Sequence, residues 1–600
     1  MPYFNYYTRI NKTDINNNKY TIKQNSKKKE SSFSLIQNRI YHQIENMIKS
    51  HTNIPEFKQI QQYNHINEHT QMVEQIVFEL DLIYKYTELT DVIKYFIMNG
   101  HHLPFLITTE LNPYNPSKTV LTIMDNDLSL YCNLYSNKKI IYNYTRLLNN
   151  IFDIVFGKNH NLGDVTNIIN IEKKLVSFQL DEKGRSDIIK DLKLYTVSDI
   201  QHIGLDLKQI LPSSIFISKN DNLFILIPNP TGTRLMLSYI KKNWDNPDWK
   251  IYWIYQFIKT YYKCIPDLLK IIGEFGHKYL NQNIKPKLLY YTQWSPYKIN
   301  YYYYKYYKNT KEIEFCKKLA DKYINAFIHK IQENEWMSPK TKQLCIRKLS
   351  RLEFKIGYDD NWNHTLNEYT PSILQNILNM NNKYYNQLIH NIKTTPYDNA
   401  SSYLVNAYYI MNQNKIYIPN GILQPPFIDI TKNMVYNLAC IGTIIGHEIS
   451  HSIDLDGLYY NDENIYNKHT WLSVSEIKTY KSLQTDIIKY LEYMSKMDKL
   501  HINGSLYISE TVSDITGLLL SEQILLDYLK DQNLPILSNL RQFYIYYTKL
   551  WKNTKSIKQK SLSSYGDFHM FEKYRINCAL ISSIHFRELY NIKKVYENIL

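Results

Sequence analysis

His447 and His451 stand four residues apart, with Glu448 beside them, in the run Ile441-Gly442-Thr443-Ile444-Ile445-Gly446-His447-Glu448-Ile449-Ser450-His451. On a helix, side chains at i and i+4 share a face, so two imidazole nitrogens can meet one divalent ion. Glu448, one position on, is placed to take a proton from water activated by that ion. Apolar residues fill the rest of the run and put the helix in the interior. Two histidines and a glutamate are costly there unless they are paired or coordinated. One histidine alone would read as a core residue bonded to a backbone carbonyl; the trio reads as a metal site. Asp454, Asp456 and Gly457 mark the expected helix stop, with Gly457 suited to a left-handed C-terminal turn.

A tetrahedral catalytic zinc needs a third protein ligand and keeps one position for water. The candidate is Glu510, in Ile508-Ser509-Glu510-Thr511-Val512-Ser513-Asp514. Glu510 and Asp514 are again four apart and leave a helix in the same direction. One can bind the ion while the other holds a ligand histidine in the right tautomer. Leu518, Leu519 and Leu520 follow, which argues against two carboxylates on a solvated face.

In these residues the chain resembles the neprilysin-like zinc metallopeptidases, the neprilysin/endothelin-converting enzyme family, whose zinc motifs are H-E-x-x-H and E-x-x-x-D. Residues 405–427, VNAYYIMNQNKIYIPNGILQPPF, are similar to that family's Asn-Ala-Tyr-Tyr strand and its Gly-Ile-Leu-Gln-Pro-Pro-Phe segment. His569 before Tyr574-Arg575-Ile576-Asn577, and Trp336-Met337-Ser338 through Lys348-Leu349 to Gly357-Tyr358, also look like family elements. The ordered blocks run from residue 336 to 577. Weaker similarity reaches back through Asn115-Pro116-Ser117-Lys118 to about residue 70.

The resemblance implies a zinc-dependent endopeptidase. Zn2+, one per chain, would be held by His447, His451 and Glu510, with Glu448 as general base. His569 would steady the oxyanion, and Asp514, with Asp454, would orient the ligand histidines. Asn406 and the Ala407 carbonyl would hold an extended substrate backbone, and Arg575 would meet a substrate carbonyl or carboxylate with its planar fork. Ile422, Phe427, Ile444, Leu550 and Trp551 match the pocket for a bulky apolar residue after the scissile bond. One departure concerns the oxyanion donor: the family carries Ser-Pro after this histidine, whereas here Met570-Phe571 follow.

Val405 to Tyr409, β-branched and aromatic, reads as a strand able to pair with a peptide at the rim of a cleft. Pro425-Pro426 fix a turn and exclude a central strand there. The chain is expected to be mainly α with a small β component. The resemblance implies a two-lobed, neprilysin-like fold in which a helical capping lobe and a thermolysin-like catalytic lobe enclose a cavity admitting only peptides. The division is a flexible polar tail over 1–34, a mostly helical capping region over 35–392 and the catalytic domain over 393–600. Amphipathic stretches at Glu68 to Tyr86, Ile313 to Glu333 and Pro371 to Ile392 fill the helical region, with one strand-like run, Leu223 to Ile227.

The 600 residues carry 44 % hydrophobic and 21 % charged residues, a globular composition with ample core. The 56 tyrosines and 16 glycines, with abundant Asn, Ile and Lys, read as coding in an A/T-rich genome, whether of a microbe or a large DNA virus. The net charge of +15 and the run Tyr301–Tyr304 raise nucleic-acid binding as a rival. The charge is diffuse beyond Lys27–Lys29, so a solvated surface accounts for it and no nucleic-acid partner is expected. Oligopeptides are the expected partners. A degenerate homologue that binds peptides without turnover is the alternative, and the intact Glu448 speaks against it. Cys132, Cys264, Cys316, Cys345, Cys440 and Cys578 do not reproduce the disulfide framework of extracellular relatives, since Lys552 follows Trp551 where they carry a cysteine. The sequence shows no apolar run of eighteen residues and no signal-peptide core, so the expectation is an intracellular, cytoplasmic protein without a membrane anchor.

Overall fold

The structure, a computed structural model, describes residues 31–51, 53–54, 57–58, 61, 66–216, 223–280, 296–357, 370–394, 401–500, 502–551 and 569–593. Up to position 30, the polar tail expected over 1–34 lies outside the described residues. From Ser32 the chain is already helical, in a helix spanning Ser32–Ser50. Ile36, Ile40, Ile44, Met47 and Ile48 bury one stripe of that helix at the spacing a core-facing helix requires.

The chain divides into two compact units: Met1–His42 with Asn300–Asn361 and Ala400–Leu600, and Gln43–Ile299 with Trp362–Asn399. The chain passes between the units at 42/43 and 399/400, a short way past the cuts expected at 34/35 and 392/393. The chain also crosses between them at 299/300 and 361/362. The cause is strand pairing, because residues 353–357 form a ladder with residues 415–419 and carry their neighbours into the C-terminal unit.

The second unit contains α1 (His69–Ile83), β1 (Phe105–Asn112), β2 (Asn115–Asp125), α2 (Lys138–Phe156), α3 (Thr166–Val176), β3 (Leu194–Tyr195), β4 (Ile225–Leu226) and α4 (Pro247–Tyr261). Its sheet runs β1-β2-β4-β3, with β2 and β4 parallel and the other pairs antiparallel. Asn246 caps α4 and Pro247 opens it, the usual start signals, and every residue from Ile251 to Ile258 is buried. A helix apolar on all sides belongs at the centre of its unit. Tyrosine hydroxyls donate to the buried carboxylates around it. Tyr95 and Tyr261 donate to Glu79, and Tyr135 and Tyr144 donate to Glu172. Glu68 caps the helix Ile373–Lys393 from outside, accepting from the backbone of Ile373 and Leu374.

The C-terminal unit holds α5 (Thr310–Glu333), α6 (Pro339–Ser350), β5 (Glu353–Gly357), β6 (Tyr408–Ile410), β7 (Lys415–Pro419), α7 (Thr443–Ser450), α8 (Val474–Met497), α9 (Ile508–Asp531), α10 (Ile536–Trp551) and α11 (Glu572–Ser582). Its three-stranded sheet runs β5-β7-β6, so β6 is an edge. The strand expected over Val405 to Tyr409 starts later, at Tyr408, and leaves Asn406 and Ala407 on the approach to it. In the run of tyrosines before α5, Tyr303 and Tyr304 are 1 % and 7 % exposed, which takes both rings off the surface. Among the described residues no cysteine pair forms a disulfide, and no helix is long and apolar enough to cross a membrane.

α6 is tied to α8 through one carboxylate. Glu476, third residue of the capping box that starts α8, accepts from the backbone N–H of Ser473 and of Ser338, both at 2.7 Å. Burial alone would raise the Glu476 pKa, but these hydrogen bonds hold it at about 2. A carboxylate depressed in the folded state stabilises above its ordinary pKa and loses that contribution as pH falls through the folded value. Glu476→Gln is expected to cost about 1 kcal/mol at neutral pH. The difference from the parent chain in urea midpoint should shrink between pH 4.5 and about 2, and a gap independent of pH would contradict the assignment.

Candidate metal centre

α7 is buried at every position, and a wide helical turn over Leu438–Gly442 leads into it. Two contacts bring it against its neighbours. A Cβ on Gly446 would meet the Gly517 Cα at 2.9 Å, and a Cβ on Gly517 would meet the Thr443 carbonyl oxygen at 2.4 Å. Only glycine at both positions lets α7 and α9 touch through their backbones. Tyr323 of α5 packs on the same stretch, its hydroxyl 2.5 Å from Ser521 Oγ.

That contact sets the geometry of the titratable side chains. His447 Nε2 and His451 Nε2 lie 3.1 Å apart, and Glu510 Oε2 lies 3.1 Å from the first and 3.8 Å from the second. One ligand atom from each residue falls within 4.8 Å of the others. The opposite ring nitrogens face carboxylates: His447 Nδ1 is 3.0 Å from Asp514 Oδ1, and His451 Nδ1 is 2.9 Å from Asp454 Oδ2. A carboxylate only accepts, so each Nδ1 carries a proton and each Nε2 is the atom turned toward a shared cation. Two bare lone pairs at 3.1 Å repel, so a proton or a metal cation must lie between them. Glu510 Oε2 is buried beside them, with His447 Nε2 at 3.1 Å and His569 Nε2 at 2.9 Å. The donor set, two imidazole nitrogens and one carboxylate oxygen, fits zinc with a position left open.

The electrostatics agree. Burial opposes charge on His447, yet hydrogen bonds to Asp514 and Glu510 raise its pKa. Burial also opposes charge on His451, yet Glu510 and Asp454 raise it to about 10. Burial would raise Asp514 and Glu510, but Arg575 holds the first well below the usual range and His451 does the same for the second. Carboxylates outweigh fixed cations here, and the site draws positive charge.

Asp454, Asp514 and Phe427 aside, every side chain expected at the site lines one cavity of about 470 Å3: Asn406, Ala407, Ile422, Ile444, His447, Glu448, His451, Glu510, Leu550, Trp551, His569 and Arg575. His569 Nε2 is 2.9 Å from Glu510 Oε2. Asp514 stands behind His447. Phe427 is fully buried and reaches the cavity through Phe33. Arg575 differs from expectation in its fork. Nε and Nη2 close on Asp514 at 2.6 and 2.7 Å, because that carboxylate needs a counter-charge in the core, and Nη1 takes no part in that pairing. The guanidinium also lies over Trp551, 4.4 Å from the ring centre.

Phe33 was not anticipated. Its ring sits 4.6 Å from Phe427 and 5.6 Å from Trp551, and Ser32 Oγ donates to the Leu550 carbonyl. The readable signal was the apolar stripe from Ile36 onward, which extends helix back to this residue. Met411 and Met570 also line the cavity. Met570 is 5 % exposed and anchored in the core with Tyr480, Leu491 and Tyr574, so the change after His569 exchanges a small residue for a buried anchor. Gly457 corrects another expectation. It is not among the left-handed residues; it is required because a Cβ would meet the His451 carbonyl oxygen at 2.1 Å.

Two models of peptidase family M13 match the chain, over residues 5–359 and 406–598. Neprilysin-1 of Caenorhabditis elegans is 28 % identical over 288 residues, 44 % of this chain and 38 % of that protein. A neutral endopeptidase of Lactococcus lactis subsp. cremoris is 26 % identical over 287 residues, 46 % of this chain and 44 % of that protein. The matched part thus spans well under two thirds of either relative. The zinc metalloprotease Zmp1 of Mycobacterium tuberculosis, in complex with inhibitor, superposes with a TM-score of 0.82 at 17 % identity, covering 95 % of this chain and 92 % of that one. PepO from Lactobacillus rhamnosis superposes with a TM-score of 0.82 at 18 % identity, covering 98 % and 96 %.

Gly517→Ala tests whether helix contact positions the ligands. The added methyl cannot clear the Thr443 carbonyl, so the helices must part, at a cost of about 1–3 kcal/mol. The variant is expected to lose zinc on dialysis that the parent chain retains. Full retention would show that the contact is dispensable.

Proposed function

The chain belongs to peptidase family M13, and from that premise we propose that it is a zinc-dependent endopeptidase of oligopeptides that favours a bulky apolar residue after the scissile bond. The observation that carries this reading is the meeting of His447 Nε2, His451 Nε2 and Glu510 Oε2 at one point, with both Nδ1 atoms committed to carboxylates. Zinc held there supplies Lewis acidity, polarising a carbonyl and lowering the pKa of water toward neutrality.

The chain's own groups do the rest. Glu448, 7 % exposed and on the cavity wall, accepts the proton of the attacking water and returns it to the leaving nitrogen. His569 donates to the oxygen on which charge develops. Asn406 and the Ala407 carbonyl, on the approach to edge strand β6, bind substrate backbone by strand addition. Arg575 Nη1 meets a substrate carbonyl or carboxylate, while its other nitrogens hold Asp514. Ile422, Ile444, Leu550, Trp551 and Phe33, with Phe427 behind, take the apolar side chain.

The purified chain is expected to bind one zinc and to cleave a quenched fluorescent peptide, with activity lost to chelator. Glu448→Gln should lower kcat by about 100-fold or more with zinc retained; activity at the parent level would remove Glu448 as the base. Phe33→Ala should lower kcat/KM about tenfold for a peptide with Phe after the cut, and much less for one with Ala there. Equal losses on both peptides would place Phe33 outside the pocket.

A further inference from the structure

Lys348, in the last turn of α6, is wholly buried, and among the described residues its ammonium forms no ion pair with a carboxylate. It donates to the carbonyl oxygens of Gly457 and Tyr460, at 2.6 and 2.7 Å, and lies 5.4 Å from the centre of the Trp471 ring. A buried cation satisfied only by neutral carbonyls is costly, and an apolar residue would fill the space more cheaply. Burial lowers its pKa to about 7, against the pull of Asp454.

The backbone that it grips is the turn leading out of the metal helix. Asp454 Oδ1 accepts from the N–H of Asp456 and of Gly457, at 3.0 and 2.7 Å. Its Oδ2 faces His451 Nδ1 and accepts from Ser509 Oγ at 2.7 Å, one residue before Glu510. The Gly457 residue that gives its N–H to Asp454 thus gives its carbonyl to Lys348. The lysine's own backbone is held at its other side, since Asn414 Nδ2 donates to the Lys348 carbonyl at 2.9 Å. Farther along the turn, Arg351 Nη1 grips Asp462 through its carboxylate and its carbonyl, at 2.9 and 3.1 Å.

The two histidines are therefore backed in parallel ways. His447 leans on Asp514, which Arg575 holds directly. His451 leans on Asp454, whose turn Lys348 holds through two carbonyls. We propose that Lys348 is a positioning residue of the metal centre, its ammonium fixing the 457–460 turn so that Asp454 keeps the proton on His451 Nδ1 and Nε2 facing the ion. This inference rests on the reading of the site as a zinc centre.

The test is zinc affinity of the full chain, measured by competition with a chromophoric chelator. Lys348→Met is expected to weaken binding about tenfold, in the range found for groups behind metal ligands, and Lys348→Arg to recover part of it. Asp454→Asn should weaken binding as well, and adding Lys348→Met to it should weaken binding little further, because both act along one path. Tyr544→Phe, which removes a buried hydrogen bond to Glu522, is the control: a lower melting temperature with zinc affinity unchanged. Should Lys348→Met fail to fold, Lys348→Gln keeps a donor without the charge and is expected to bind zinc less tightly than the parent chain. A Lys348 variant within twofold of the parent, or a double variant whose losses multiply, would overturn the inference while leaving the peptidase reading intact. A parent chain that takes up no zinc would overturn both.

Discussion

Two helices of the C-terminal unit touch backbone to backbone, and the proposed metal centre depends on that contact. Glu510, Asp514 and Gly517 follow one another at i, i+4 and i+7, so they form a single stripe along α9. At one end the stripe carries no side chain and lies on Thr443 and Gly446. One turn back, its carboxylate reaches His447 Nδ1, and a turn further its next carboxylate reaches both Nε2 atoms. Interhelical distance is thus translated into ligand geometry. Tyr323 packs beside the same contact, close to Gly442 and Gly446.

Charge follows from the same arrangement. The side chains sit where water cannot neutralise them, so each must find its partner within the protein or in a bound ion. Arg575 answers Asp514, and the Asp514 and Asp454 carboxylates answer the two Nδ1 protons. What converges without a fixed counter-charge is one cluster of possible ligand atoms, two imidazole Nε2 nitrogens and the Glu510 oxygen. That cluster is local, and it faces the cavity that also contains Glu448 and His569. The same logic appears away from the site in another form, where tyrosine hydroxyls donate to Glu79 and Glu172. A composition rich in tyrosine supplies many such donors without adding charge.

The convergence of His447, His451 and Glu510 was legible because i, i+4 spacing on a buried helix constrains chemistry tightly, whereas the residues now seen on the cavity wall were expected only from the family resemblance. The long helices were legible for a related reason, their apolar period. Glu68 to Tyr86 appears as His69–Ile83, and Pro371 to Ile392 as Ile373–Lys393. The hairpin of β1 and β2 went unread because its strands alternate only partly and lie among helical sequence. Phe33 and Lys348 had weaker signals still. Each acts across more than a hundred residues, on Phe427 and on Gly457, and no local period reveals such a contact. The crossings at 299/300 and 361/362 escaped for the same reason, since the pairing of β5 with β7 is parallel and long-range. Gly457 was identified correctly as a special position but for the wrong cause, crowding by the His451 carbonyl in place of a positive φ.

The central claim is that three side chains from two helices share one ion. A zinc-edge anomalous difference map of crystals grown with one equivalent of zinc addresses it most directly. The account predicts a single peak about 2.0–2.2 Å from His447 Nε2, His451 Nε2 and a Glu510 carboxylate oxygen. A peak elsewhere, or one bound through either Nδ1 or without Glu510, would contradict it.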